Sequence, residues 1–137
     1  MSNSNSIARD LAVQFLYLSE SEKIYYFSSS HFETFVEHYG TDATCTPYLE
    51  HLVSGVLSDL IQLDKWIADF AKNWSISRMA ATDRVILRMA VWELQQQVEP
   101  KKAILNEAID LAKKYGTEHS GAFVNGILDP IAAKLGL

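Results

Sequence analysis

Cysteine is nearly absent: Cys45 stands alone, which excludes an internal disulfide and any metal site built on paired thiolates. A lone thiol of this kind is expected to be a small apolar filler. Long hydrophobic runs are lacking too, and none approaches the roughly 20 residues that a membrane-spanning helix needs. The first six residues, Met-Ser-Asn-Ser-Asn-Ser, have neither a basic segment nor an apolar one, so a secretory signal is not expected and the cytoplasm is the expected address. No stretch alternates apolar and polar residues with β-branched enrichment, so no sheet is expected. Basic charge is scarce in one half only. Residues 1–64 hold just Arg9 and Lys23 against nine acids, while residues 65–137 hold ten bases against eight acids. The net charge of −5 speaks against a stand-alone nucleic-acid binder.

What the chain does have is helical periodicity within a length of 137 residues, the size of one domain. Ala8, Leu11, Ala12, Phe15 and Leu18 predict a first helix from about Ser6 to Glu20, capped by Asn5 or Ser6. Ser30 and Glu33 form a capping-box pattern ahead of Phe32, Phe35, Val36 and Tyr39, and Gly40 suits a left-handed end. Pro47 opens a third and longest helix carrying Leu49, Leu52, Val56, Leu60, Leu63, Ile67 and Phe70. A short turn follows at Ser77 to Ala80. The next helix, from Ala81 or Thr82 to Leu94, is apolar on most sides and belongs in the middle of the protein. Pro100 precedes a helix from Lys102 to Tyr115 that Gly116 stops, and a last helix runs from Thr117–Ser120 to Leu135. Within it Pro130 predicts either a kink or a fresh start capped by Asp129. Gly126 is expected where another backbone comes close.

Chemistry is hard to assemble from these residues. His31, His38, His51 and His119 are scattered and match no metal-ligand spacing. The six glycines form neither a phosphate-binding loop nor a dinucleotide turn. Glu107 and Asp110, three apart on a helix, read as a solvated face. No nucleophile and base pair can be named, so binding rather than catalysis is expected.

Three segments in order are not generic: Ala8-Arg-Asp-Leu-Ala-Val-Gln-Phe-Leu-Tyr17, Thr82-Asp-Arg-Val-Ile-Leu-Arg-Met-Ala-Val-Trp-Glu-Leu94, and Ala103-Ile-Leu-Asn-Glu-Ala-Ile-Asp-Leu-Ala-Lys-Lys-Tyr-Gly116 leading into Phe123-Val-Asn-Gly-Ile-Leu-Asp129. With this spacing the chain resembles the NusB family of transcription antitermination factors everywhere but residues 21–46. The resemblance implies an all-α fold, a compact bundle of about seven helices in two helical subdomains. These would form one domain over residues 1–137, with residues 1–6 a flexible leader. It implies no cofactor, no metal and no small-molecule substrate. It also implies a non-enzymatic role in ribosomal RNA transcription, with the ribosomal protein NusE and boxA RNA as partners and the RNA polymerase complex as an indirect one.

The resemblance also assigns residues. Arg9 falls where the family's basic N-terminal segment meets RNA phosphates. Tyr17 is placed to stack on or hydrogen-bond to nucleotides, or else to pack in the core. Thr117, His119 and Ser120 lie in the turn ahead of the last helix, whose amides and positive dipole end suit a phosphate. Phe123 matches a position beside the RNA surface, or is a core residue. Lys113 and Lys114 add charge there, or serve the dipole of their own helix. Asp83 and Arg84 fall where the family meets NusE, and an acidic surface suits a basic ribosomal protein.

The chain also departs from the family. Ser2 to Ser6 replace several basic residues, His119 stands where an acid is common, and Pro130 replaces a helix-continuing residue. RNA affinity of the protein alone is therefore expected to be weak and mildly salt-dependent. Two readings remain: an RNA-and-protein-binding antitermination factor, and a helical interaction module that keeps NusE with little RNA contact.

Overall fold

A computed structural model describes residues 3–40 and 42–137, which form seven α-helices, one 3-10 turn and no strand among them. They divide into two compact units, residues 1–59 and 60–137.

The first unit holds α1 (Asn3–Ser21), α2 (Ser29–Tyr39) and α3 (Thr46–Ser58). Helix α1 begins three residues ahead of the expected start, so Asn5 and Ser6 lie inside it rather than capping it. Of the expected leader, positions 3–6 are thus helical, and positions 1–2 lie outside the described residues. Ser and Asn are weak helix formers, and the helix is carried by packing rather than propensity. Ala8 and Ala12, both fully buried, allow α1 to come close to α3, where Leu49, Leu52 and Val53 are also fully buried. Phe15 meets Phe32 and Phe35 of α2 nearly edge-on, at 5.7 and 5.2 Å between ring centroids. Helix α2 starts earlier than the capping-box pattern implied. Its cap is Ser28, whose hydroxyl accepts the His31 N–H at 3.3 Å. Gly40 ends it in the left-handed conformation expected, at φ 67°.

The single long helix predicted from Pro47 to Phe70 is two helices, α3 and α4 (Leu60–Phe70), separated at Asp59. There the Asp59 N–H turns to Val56, three residues back, instead of continuing the i−4 ladder. Apolar periodicity reports which residues are buried, and it survives a break that keeps those residues inward.

The second unit holds α4, a 3-10 turn at Ile76–Arg78, α5 (Ala81–Gln96), α6 (Lys101–Tyr115) and α7 (Ser120–Lys134). Helix α5 packs on α4, α6 and α7 and is the central helix its composition implied. Arg88 on α5 clamps Asp64 on α4 with two hydrogen bonds of 2.7 and 2.9 Å, a forked geometry that fixes the pair. Helix α7 neither ends nor restarts at Asp129 and runs on through Pro130. Pro130 and Gly126, four residues before it, both lie on the exposed face, so the helical bond that Pro130 cannot make is missing at the surface rather than in the core. The expected close backbone at Gly126 is not there, since a Cβ added at this position meets open space. Meanwhile Ile127, Leu128, Ile131 and Ala132 are buried on the opposite face and hold both halves of the helix in line.

Candidate nucleic-acid and partner interface

The second unit carries a groove of about 500 Å³ where the segment after α4 meets the starts of α5 and α7. That segment is held by Arg84, whose Nη1 donates to the carbonyls of Ile76 and Met79, both at 2.9 Å. Arg84 was expected to face a protein partner. Its guanidinium ties the 3-10 turn to α5, adding a second donor to the Ile76 carbonyl, which already accepts the Met79 N–H at 3.3 Å.

Asp83, next to it in the first turn of α5, lines the groove and is only 8% exposed. Its Oδ1 is buried with no hydrogen-bond partner. On the walls Trp74 is 52% exposed and meets Phe123 of α7 edge to face, at 6.1 Å and 82°. Phe123 is half-buried, between the two roles expected for it. Arg78, Thr117 and His119 complete the rim.

The turn into α7 is built by Ser120. Its hydroxyl accepts the Thr117 N–H at 2.9 Å, and the Thr117 hydroxyl accepts the His119 N–H at 3.2 Å. Ser120 is 3% exposed, so its expected contact with RNA gives way to holding this turn. Gly116 is required here for space rather than for positive φ. A Cβ on it would collide with the Ser120 hydroxyl. The His119 ring points out beside Glu118, and Lys113 and Lys114 are exposed in the last turn of α6. The stem of Lys113 lies on Gly121, where an added Cβ would come within 3.3 Å of it.

In the first unit Tyr17 is 43% exposed, so it is a surface residue rather than a core one. Arg9 is the reverse: expected at RNA phosphates, it is 1% exposed, with its guanidinium 5.9 Å from the centre of the Tyr48 ring. In this position it is packed as a buried cation over an aromatic face.

The structure therefore brings Asp83, assigned from sequence to a protein partner, together with Thr117, His119, Ser120 and Phe123, assigned to RNA. Sequence reasoning missed Trp74 and Arg78. The one available sign was a tryptophan in the polar stretch Lys72-Asn-Trp-Ser75, where no core position is expected. Among the described residues no cluster of His, Cys, Asp and Glu is arranged to hold a metal ion, and no helix is long and apolar enough to cross a membrane.

The transcription antitermination protein NusB of Geotalea daltonii is 43% identical, over 93% of this chain and 92% of its own length. The T. maritima NusB structure superimposes with a TM-score of 0.83 at 30% identity, covering 95% of this chain and 91% of that one. A crystal structure of antitermination factors NusB and NusE in complex with double-stranded RNA contains a chain matching with a TM-score of 0.86 at 27% identity, covering 98% of this chain and 99% of that one. The model of the NusB family matches residues 6–133, nearly the whole length, and the chain belongs to the NusB family.

Proposed function

We propose that this protein is a transcription antitermination factor that binds NusE and a boxA-type RNA in the cytoplasm and catalyses no reaction. The whole chain would act as one NusB-like domain. The observation that carries the reading is the single groove in which Asp83, Thr117, His119 and Phe123 converge, flanked by exposed aromatic and basic side chains. Aromatic faces with nearby cations are what unstacked nucleotides require. Phe123, Trp74, Lys113 and Lys114 supply them in the second unit, and Tyr17 offers another exposed ring in the first. The acid excess of residues 1–59, eight acids against two bases, suits a basic ribosomal protein as partner. Separately, the start of α5, with Asp83 in its first turn, is proposed as a place of contact with that partner. The relative solved with NusE and RNA supports both halves of the reading.

The second reading, a module that keeps NusE with little RNA contact, is favoured by one observation. Of the two bases in residues 1–59, Arg9 is buried, which leaves only Lys23 exposed. A mobility-shift titration of boxA RNA, with and without NusE, separates the two. The expected result is a shift with NusE that neither protein gives alone and that Phe123→Ala weakens by about tenfold. Equal retention of boxA and a scrambled strand at every salt concentration rejects specific RNA binding. Calorimetry showing no heat with NusE rejects the partner.

A further inference from the structure

The segment between α4 and α5, which forms one wall of the groove, has little support of its own. From residue 72 to residue 80 only Met79 is buried, and Ile76 is half-buried. The backbone bonds along it span three residues: the N–H groups of Trp74, Arg78 and Met79 donate to the carbonyls of Ala71, Ser75 and Ile76, at 3.2, 3.0 and 3.3 Å. Turns of this tight kind have poorer hydrogen-bond geometry than an α-helix. One nitrogen then fastens the segment to α5. Arg84 Nη1 carries two hydrogens, and the carbonyls of Ile76 and Met79 each accept from it at 2.9 Å. The position is not one that α5 itself favours. Arg84 is the fourth residue of that helix, close to the positive end of its dipole, where an acid such as Asp83 is the stabilising choice. A cation at this place is accounted for by the two carbonyls outside the helix. Trp74 and Arg78, one just before the turn and one in it, line the groove.

We propose that Arg84 is a positioning residue for binding at this groove: by holding the turn at Ile76–Arg78 against α5, it fixes Trp74 and Arg78 where a partner meets them. The inference rests on the binding function proposed above and deepens it, since Arg84 acts there through its neighbours rather than by contact. An exposed ring contributes most to affinity when its backbone is fixed before the partner arrives, because ordering a mobile segment during binding costs free energy. The guanidinium suits this task. It is planar, always charged and points its N–H groups in fixed directions, so two carbonyls set on one nitrogen are held at a fixed spacing. A lysine ammonium has the same charge but turns freely on its stem, and it would hold the carbonyls loosely. Trp74 also meets Phe123 edge to face at 6.1 Å, so a shift of the turn opens the contact between the two aromatic walls as well.

The test is a double-mutant cycle on the assembly of this protein with NusE and boxA RNA, read as the protein concentration at which half of the RNA is shifted in the presence of NusE. Arg84→Met keeps an apolar stem and removes both donors. It is expected to weaken the assembly by about tenfold in the unaltered chain, but by no more than about twofold in a chain that already carries Trp74→Leu, the remainder acting through Arg78. Amide exchange in the free protein should show the cause, with Arg78 and Met79 about tenfold faster and the middle of α6 and α7 unchanged. Arg84→Lys, which keeps the charge, should give a smaller loss of the same kind, and it takes the place of Arg84→Met in the cycle should that variant fail to fold. An equal loss in both backgrounds means that Arg84 touches a partner itself, and overturns the inference. So does an assembly of full strength despite a loosened turn. Unchanged exchange at Arg78 and Met79 overturns it as well. Failure of the unaltered protein to assemble with NusE and RNA defeats the proposed function itself, and the inference with it.

Discussion

Arg9 shows how a residue's role depends on the phase of its helix. Arg9, Ala12, Val13 and Leu16 are spaced i, i+3, i+4, i+7, and all four are buried. The stripe expected from Leu11 and Leu18 is rotated from this one, and both leucines are only half-buried. The position was therefore legible in the sequence, but the family's basic segment at that place outweighed the periodicity. Tyr17, eight residues on and about 80° around the helix, falls outside the stripe and is exposed. Arg9→Ala is expected to destabilise the fold by roughly 2–4 kcal/mol in urea unfolding, since it removes a buried cation and its aromatic contact. An unchanged unfolding midpoint with reduced RNA binding restores the phosphate role instead.

Among elements, those with a repeating pattern were the legible ones: the central α5, the α6 stop at Gly116 and the left-handed end at Gly40 all stand where periodicity and turn chemistry put them. The break at Asp59 and the helical start at Asn3 were not legible, because each depends on packing rather than on a local signal. The entry to α3 is similar. Asp42 Oδ1 accepts from the Thr44 hydroxyl at 2.6 Å, the Thr44 N–H at 2.9 Å and the Cys45 N–H at 3.1 Å. The Thr44 hydroxyl first, then the two amides, hold this carboxyl below its ordinary value. Its folded value thus lies below the unfolded one, so its contribution is complete above the ordinary aspartate range and is lost as pH falls through the lowered value. Amide exchange at Thr44 and Cys45 should accelerate in acid more than its intrinsic pH dependence requires. Asp42→Asn should remove that excess, and an unaltered profile in the variant would rule out the carboxylate as its source.

For the whole molecule, composition limited the electrostatics but did not locate the site. The groove joins residues from distant parts of the sequence, Trp74 to Asp83 and Thr117 to Phe123, and no local pattern announces such a meeting. With Arg9 buried, Arg78 on the groove and the exposed Lys113 and Lys114 at the end of α6 are the cations proposed for RNA. At roughly 0.7 per contact on single strands, three phosphate contacts give a log–log salt slope of about −2. A titration from low to physiological salt should return that value, reduced by about one contact in Lys113→Ala. A slope steeper than about −5 points to phosphate contacts elsewhere on the chain.

The two adjacent lysines are not equivalent in this respect. Lys113 lies along Gly121, so a missing methyl group on α7 acts as a socket for its stem. Part of its rotamer freedom is already gone before any anion arrives. Lys114 has a different neighbour, with its Nζ 5.3 Å from the centre of the Tyr115 ring. Fixing Lys113 on a phosphate therefore costs less side-chain entropy than fixing a freely rotating lysine, and the glycine, which carries no side chain of its own, becomes a determinant of where charge is presented.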